Sequence, residues 1–271
     1  MPLIAFASPK GGVGKTTLVA NVAHALRRAG RSVLVVDLDP QNALRLHFGV
    51  PLHDTVGFMA ELLRQPDWRR LVRPTSTGVV ILPHGATDLR VALEQAVALE
   101  RDPALLSGPL REMLSDSRLL VLADLPPGPS QALAVVAPLA SVIVTVLQSE
   151  AISAAVLGEV ESGRFLGGGT MSALVAGRLQ FVLNGVDMSS RLSRAAAEAL
   201  ARHLGARLLG AVSRDEAVGE AQAHMRLVHD MAPGSAAAVD IGHVARAIEA
   251  LLPVGQEASE ANTAVGLRTR W

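Results

Sequence analysis

The sequence predicts an α/β fold, a mostly parallel twisted sheet with helices on both faces. Two observations carry this. Short β-rich runs alternate with helix-length stretches along the chain, and the first run leads through a glycine-rich loop straight into a strong helical pattern. With 271 residues and 49% hydrophobic content the chain can bury a full core. That length suits one large domain, assigned to residues 1–252, followed by a flexible C-terminal tail at 253–271.

In chain order, β-rich runs fall at 3–7, 33–37, 79–82, 119–124, 142–147, 179–184 and 208–212, with helix patterns at 16–29, 103–115, 192–204 and 235–252 among the stretches between them. Such strands, apolar on both faces, are those of a parallel sheet buried from both sides, where ligands bind beyond the strands' C-terminal ends. Nothing between Gly128 and Ser149 is charged, which gives this segment the composition of a membrane span. Pro138 divides it, however, into a helix-like half at 130–137 and a β-branched half at 142–147, the pattern of a buried helix followed by a central strand. The 163–169 stretch, with four glycines in seven residues, and the polar tail from 254 interrupt the alternation and read as mobile or partner-dependent.

Lys+Arg and Asp+Glu both number 25, so no overall basic field draws the chain to nucleic acid or anionic lipid. The absence of cysteine excludes disulfides, thiolate metal sites, iron–sulfur clusters and cysteine nucleophiles. The start of the chain lacks the charged, apolar and cleavable parts of a signal peptide, so a cytoplasmic location is expected. Histidines 24, 47, 53, 84, 203, 224, 229 and 243 show no metal-ligand spacing and read as surface or partly buried residues.

The first strand ends in Ser8-Pro9-Lys10-Gly11-Gly12-Val13-Gly14-Lys15-Thr16-Thr17, and a helix follows at once. Strand, glycine loop and helix in that order are the context a phosphate-binding loop requires. Gly11, Gly12, Val13 and Gly14 would turn backbone N–H groups around a polyphosphate, aided by the positive end of the helix. Lys15 would bridge the β- and γ-phosphates, Thr16 would place its hydroxyl on Mg²⁺, and Thr17 would reach the α-phosphate side. Two carboxylates, Asp37 and Asp39, leave the second strand at its C-terminal end, and Asp124 ends the fourth. Near Mg²⁺ such groups hold the metal shell or orient a water, although Asp39-Pro40 also suits a turn or helix cap.

Pro9 and the second lysine, Lys10, depart from the general loop pattern. Here the chain resembles the deviant Walker A ATPases that include ParA and MinD. The resemblance implies ATP and Mg²⁺ as ligands, a sandwich homodimer with ATP, and slow hydrolysis. It also implies that Lys10 acts across the dimer on the partner's nucleotide, that Asp39 is needed for hydrolysis while Asp37 supports the metal shell, and that Asp124 holds Mg²⁺ through water. Leu125-Pro126-Pro127-Gly128 is then the loop that senses the γ-phosphate. Asn184, at the end of the sixth strand, would bond the adenine edge, although Asn184-Gly185 also suits a plain turn. The Ser213–Asp215 loop, with Arg214, would close over the base.

Further stretches resemble the bacterial cellulose-biosynthesis Q proteins (BcsQ): Asp39-Pro40-Gln41-Asn42-Ala43-Leu44-Arg45-Leu46-His47-Phe48, Pro66-Asp67-Trp68-Arg69, Ile81-Leu82-Pro83-His84-Gly85 and Ser213-Arg214-Asp215-Glu216-Ala217. That resemblance implies a weak ATPase, more switch than metabolic enzyme, bound to cytoplasmic cellulose synthase subunits and peripheral to the inner membrane through them. Two other readings stay open: a ParA-like positioner of DNA or cargo, and a nucleotide-dependent scaffold with little hydrolysis. The scattered arginines and the tail's Arg268, Arg270 and Trp271 give neither a dense basic patch nor an amphipathic membrane stripe.

Overall fold

The computed structural model describes residues 2–150, 153, 157–158, 160–161 and 175–252. The glycine-rich 163–169 stretch and the 253–271 tail lie outside them. An eight-stranded sheet runs in the order β3-β4-β2-β5-β1-β6-β7-β8. Its strands are β1 (Leu3–Ala7), β2 (Ser32–Asp37), β3 (Arg73–Pro74), β4 (Val80–Leu82), β5 (Leu119–Asp124), β6 (Val142–Gln148), β7 (Leu179–Val186) and β8 (Leu208–Ser213). All neighbouring strands are parallel except the edge pair β3 and β4.

Alternate residues of each strand enter opposite cores. Leu3, Ala5 and Ala7 of β1 join one, Ile4 and Phe6 the other. The first core is covered by α2 (Leu89–Arg101), α3 (Ala104–Met113), α4 (Gln131–Val136) and α5 (Arg191–Leu204), through Leu99, Leu110, Leu133 and Leu200. The second is covered by α1 (Lys15–Arg28), α6 (Glu216–Ala223), α7 (Val228–Met231) and α8 (Ala236–Ala250), through Leu18, Val22, Leu26, Ala221, Val228 and Ile241. Burial from both sides explains why the strands read as unbroken apolar runs. The uncharged segment around Pro138 is α4 followed by β6, and no helix among the described residues is long and apolar enough to cross a membrane.

The strand order reverses beside β1, so the loops leaving β1, β2, β5, β6 and β7 meet at one end of the sheet. The long connection after β2 is organised by buried Arg45, which donates to the carbonyls of Asn42 (3.2 Å), Pro51 (2.6 Å) and Asp54 (2.9 Å). Helix α1 is capped at its start by Gly14, whose carbonyl accepts from Leu18 N at 2.9 Å, and it stops before Gly30 at φ 96°.

Candidate functional site

The loop between β1 and α1 is held in a shape that only some of its residues could adopt. Gly12 (φ 76°) and Gly14 (φ 80°) are left-handed, a conformation that costs a side chain strain. Gly14 has a second constraint: a Cβ there would collide with the side-chain amide of Asn184. That amide donates to Val13 O at 2.7 Å, so the end of β7 buttresses the loop. Gly185 (φ 69°) accompanies a register shift between β7 and β8 at Asn184–Val186, a local irregularity of the kind that re-aims a strand side chain. From the other side, Gly128 N donates to Ser8 O at 2.8 Å, tying the loop after β5 to the β1–α1 loop.

These residues enclose a cavity of about 310 Å³, lined by the glycine loop, Thr16, Thr17, Asp39, Gln41, His47, Pro127 and Gln222. Ser8 also lines it, and its hydroxyl is buried without a hydrogen-bond partner. An unpaired buried hydroxyl beside a glycine cradle suits a ligand rich in hydrogen-bond acceptors.

Of the three acidic residues Asp39 lines the cavity, and Asp37 and Asp124 are buried. Asp37 and Asp124 lie opposite each other in the β2–β5 register. Lys15 Nζ bonds Asp124 Oδ1 and lies 3.6 Å from Asp39 Oδ2, while Thr16 Oγ1 donates to Asp124 Oδ2 at 2.7 Å. Asp37 faces the backbone instead: its two oxygens accept from Asp39 N (3.0 Å) and Leu44 N (3.3 Å), which fixes the loop carrying Asp39. Burial pushes the Asp37 carboxyl well above the usual carboxylate range, with the neighbouring Asp124 charge adding to it and the Asp39 N–H opposing. Burial also raises Asp124, against the pull of Lys15. Asp124 and Asp39 thus share one ammonium, with Asp37 opposite Asp124 in the neighbouring strand. Thr16 and Asp124 could supply oxygen ligands to a divalent cation, and a polyphosphate above it would draw Lys15 away from the carboxylates.

Lys10 is on the rim, where Nζ forms an ion pair with Glu150 Oε2 at 2.7 Å. Beyond Asn184 a second cavity, of about 510 Å³, is lined by Gln148, Glu150, Gly185, Asp187 and Arg214 among others. The Arg214 side chain is 77% exposed, with Nη1 3.8 Å from Asp187 Oδ2, and the Arg214 backbone N–H donates to Val186 O at 2.9 Å. Sequence reasoning missed Glu150 and Asp187. Both are acidic residues just beyond a buried strand, the rule that singled out Asp37 and Asp124, applied to β6 and β7. It missed His47 too: the expectation of surface or partly buried histidines fails for His24, His47 and His84, which are buried. Burial lowers His47 to about 4. For His47 the reason is its place in a single short helical turn at 44–48, where periodicity is too weak to reveal burial.

A model of the cellulose biosynthesis protein BcsQ family matches residues 1–248. The chain belongs to that family. It is 32% identical over 132 residues to BcsQ of Escherichia coli K12, covering 48% of this chain and 52% of that protein. It is 40% identical over 124 residues to the chromosome-partitioning ATPase Soj of Thermus thermophilus, covering 46% and 45%. The chain thus spans about half the length of the curated relatives it matches. In three dimensions this BcsQ-family chain is similar to the cell division ATPase MinD of Pyrococcus furiosus, with TM-score 0.73 and 26% identity over 93% of this chain and 99% of that one. MinD of Pyrococcus horikoshii, solved with Mg-ADP, shares the fold at TM-score 0.72 and 24% identity, covering 92% and 96%.

Proposed function

We propose that this BcsQ-family protein binds ATP with Mg²⁺ and works as a slowly hydrolysing dimeric switch, an accessory factor in assembling, localising or regulating a cellulose synthase system. The observation that carries the reading is the phosphate-loop lysine. Lys15 is buried among Asp124 and Asp39 inside a glycine cradle whose left-handed residues turn the backbone around the cavity. Similarity to Soj and to Pyrococcus furiosus MinD, both described as ATPases, supports the activity, and the BcsQ match supports the cellulose setting.

In this reading the loop from Gly11 to Gly14 and the start of α1 bind the phosphates, with Lys15 exchanging its carboxylate partners for β- and γ-phosphate oxygens and Thr17 on the α-phosphate side. Thr16 would place its hydroxyl on the metal and Asp124 would hold it through water, while Asp37 would support that shell by fixing the loop behind it. Bound Mg²⁺ would neutralise phosphate charge and act as a Lewis acid. Asp39 orients a water towards the terminal phosphate, and Lys10, reaching across from the partner protomer, stabilises charge there. Asn184 uses one amide hydrogen on Val13 and presents the rest of its amide to the base edge, with Arg214 closing over the base. Residues 1–252 act as one ATPase unit, held near the inner membrane by cytoplasmic partners.

The test is molar mass in solution with ADP and with ATP plus Mg²⁺, read alongside phosphate release, for the wild type and Lys15→Gln. A dimer formed only with ATP, slow release, and loss of both in Lys15→Gln are expected. A nucleotide-independent dimer without release would replace the switch with a scaffold, and a Lys15→Gln protein that keeps its affinity for ATP would overturn the phosphate-loop assignment.

A further inference from the structure

Lys10 and Glu150 come from segments far apart in the chain, and each is presented by a backbone that is held. Pro9 restricts the chain before Lys10, and Ser8 O accepts Gly128 N just ahead of it. On the other side, Glu150 N donates to Gln148 O at 2.9 Å, and the neighbouring Ser149 hydroxyl meets Ser193 of α5 at 2.6 Å. Gln148 Nε2 itself donates to Gly12 O at 3.4 Å. The exit of β6 therefore touches the phosphate loop twice, once through Gln148 and once through the ion pair at 2.7 Å.

Within one protomer, Lys10 has a carboxylate partner and points no charge into its own phosphate cavity, whose lining does not include it. We propose that Glu150 is a positioning residue, an anchor that holds Lys10 on its own protomer and must release it before the lysine can serve a nucleotide on a second copy of the chain. The inference rests on the dimeric switch reading above. The side chains are 37% and 52% exposed, so water can take over both charges and the release is cheap enough to be reversible. A pair this exposed shifts its equilibrium by about two- to five-fold. A two-fold dimer releases two such pairs, so the effects multiply to about four- to twenty-five-fold in the dimer constant.

The chain contains only two lysines, Lys10 and buried Lys15, which makes the anchor directly readable. The full chain is compared as wild type, Glu150→Gln and Glu150→Asp. Two quantities are measured: the dimer constant across a titration of ATP with Mg²⁺, and the rate of Lys10 acetylation in ADP, read by mass spectrometry. Glu150→Gln should raise the dimer constant about four- to twenty-five-fold and acetylate about two- to five-fold faster at Lys10, with Glu150→Asp returning both towards wild type. An unchanged or weakened dimer in Glu150→Gln overturns the anchor while leaving the switch intact. A tighter dimer without faster acetylation also overturns it, since Glu150 would then act on the partner rather than on Lys10. A wild type that stays monomeric at saturating ATP removes the switch reading and the anchor with it.

Discussion

Alanine placed in turn at Gly11, Gly12 and Gly14 should produce three different outcomes. Gly11 is not left-handed, and a Cβ there meets nothing closer than Pro127 Cγ at 3.8 Å. Gly11→Ala should therefore leave stability unchanged or raise it by about 0.4–1 kcal/mol through the unfolded chain. Gly12 has open space around it but a φ of +76°, so alanine should cost about 1–2 kcal/mol. Gly14 carries the same backbone strain and also excludes the Asn184 amide, whose bond to Val13 O would be lost. Adding about 0.5–1.5 kcal/mol for that bond gives about 1.5–3.5 kcal/mol for Gly14→Ala. With a urea slope near 2–3 kcal/mol per molar, the midpoint should fall by about 1 M. Urea unfolding followed by circular dichroism ranks the three variants, and Asn184→Ala added to Gly14→Ala should recover part of the loss because it clears the space. Equal midpoints for Gly12→Ala and Gly14→Ala would show that the Asn184 contact contributes nothing. Wild-type midpoints for both would refute the left-handed loop.

Asp39→Ala should trap a dimer in ATP and Mg²⁺ that neither releases phosphate nor falls apart, and a protein that stays monomeric at saturating ATP would end the role given to Asp39. Acid should destabilise the fold through His47: burial lowers its folded value from 6.5 to about 4, so between those pH values the unfolded chain binds the extra proton. The contribution is then fully present above about pH 6.5 and is lost as pH falls towards 4, by at most about 3 kcal/mol. His24, His84 and His229 shift in the same direction, each mainly through burial. His47→Phe should flatten the fall in urea midpoint between pH 7 and 5, and an unaltered slope would exclude His47 as its source.

The seven longer strands were legible because a parallel strand buried on both faces must be apolar throughout, and 119–124 and 142–147 leave little else to choose. The edge strand at Arg73–Pro74 was not: it is two residues long, half polar and antiparallel. Its presence makes the strand ending in Asp124 the fifth rather than the fourth, and the one carrying Asn184 the seventh. The strand, glycine loop and helix order and the acidic strand ends were readable from local order alone. Pairings made across the sheet were not. Nothing near Lys10 in sequence indicates Glu150, and nothing near Gly14 indicates that Asn184 occupies the space its side chain would need. Asp37 shows the same limit in reverse, since its position at a strand end was plain while its two backbone partners depend on how the following loop turns.

The place of β1 in the sheet has a consequence for biosynthesis. The strand that leads into the glycine loop precedes both of its neighbours in the chain by a long way: its Leu3 pairs with Val121 and its Ile4 with Val142. An apolar strand must therefore wait for its first neighbour until β5 has been translated, and for its second until β6 has. Non-local pairing of this kind is slow and leaves sticky surface uncovered meanwhile. Truncated chains ending before residue 148 should thus depend on chaperones and aggregate without them, and ATP could reward folding only after that late closure.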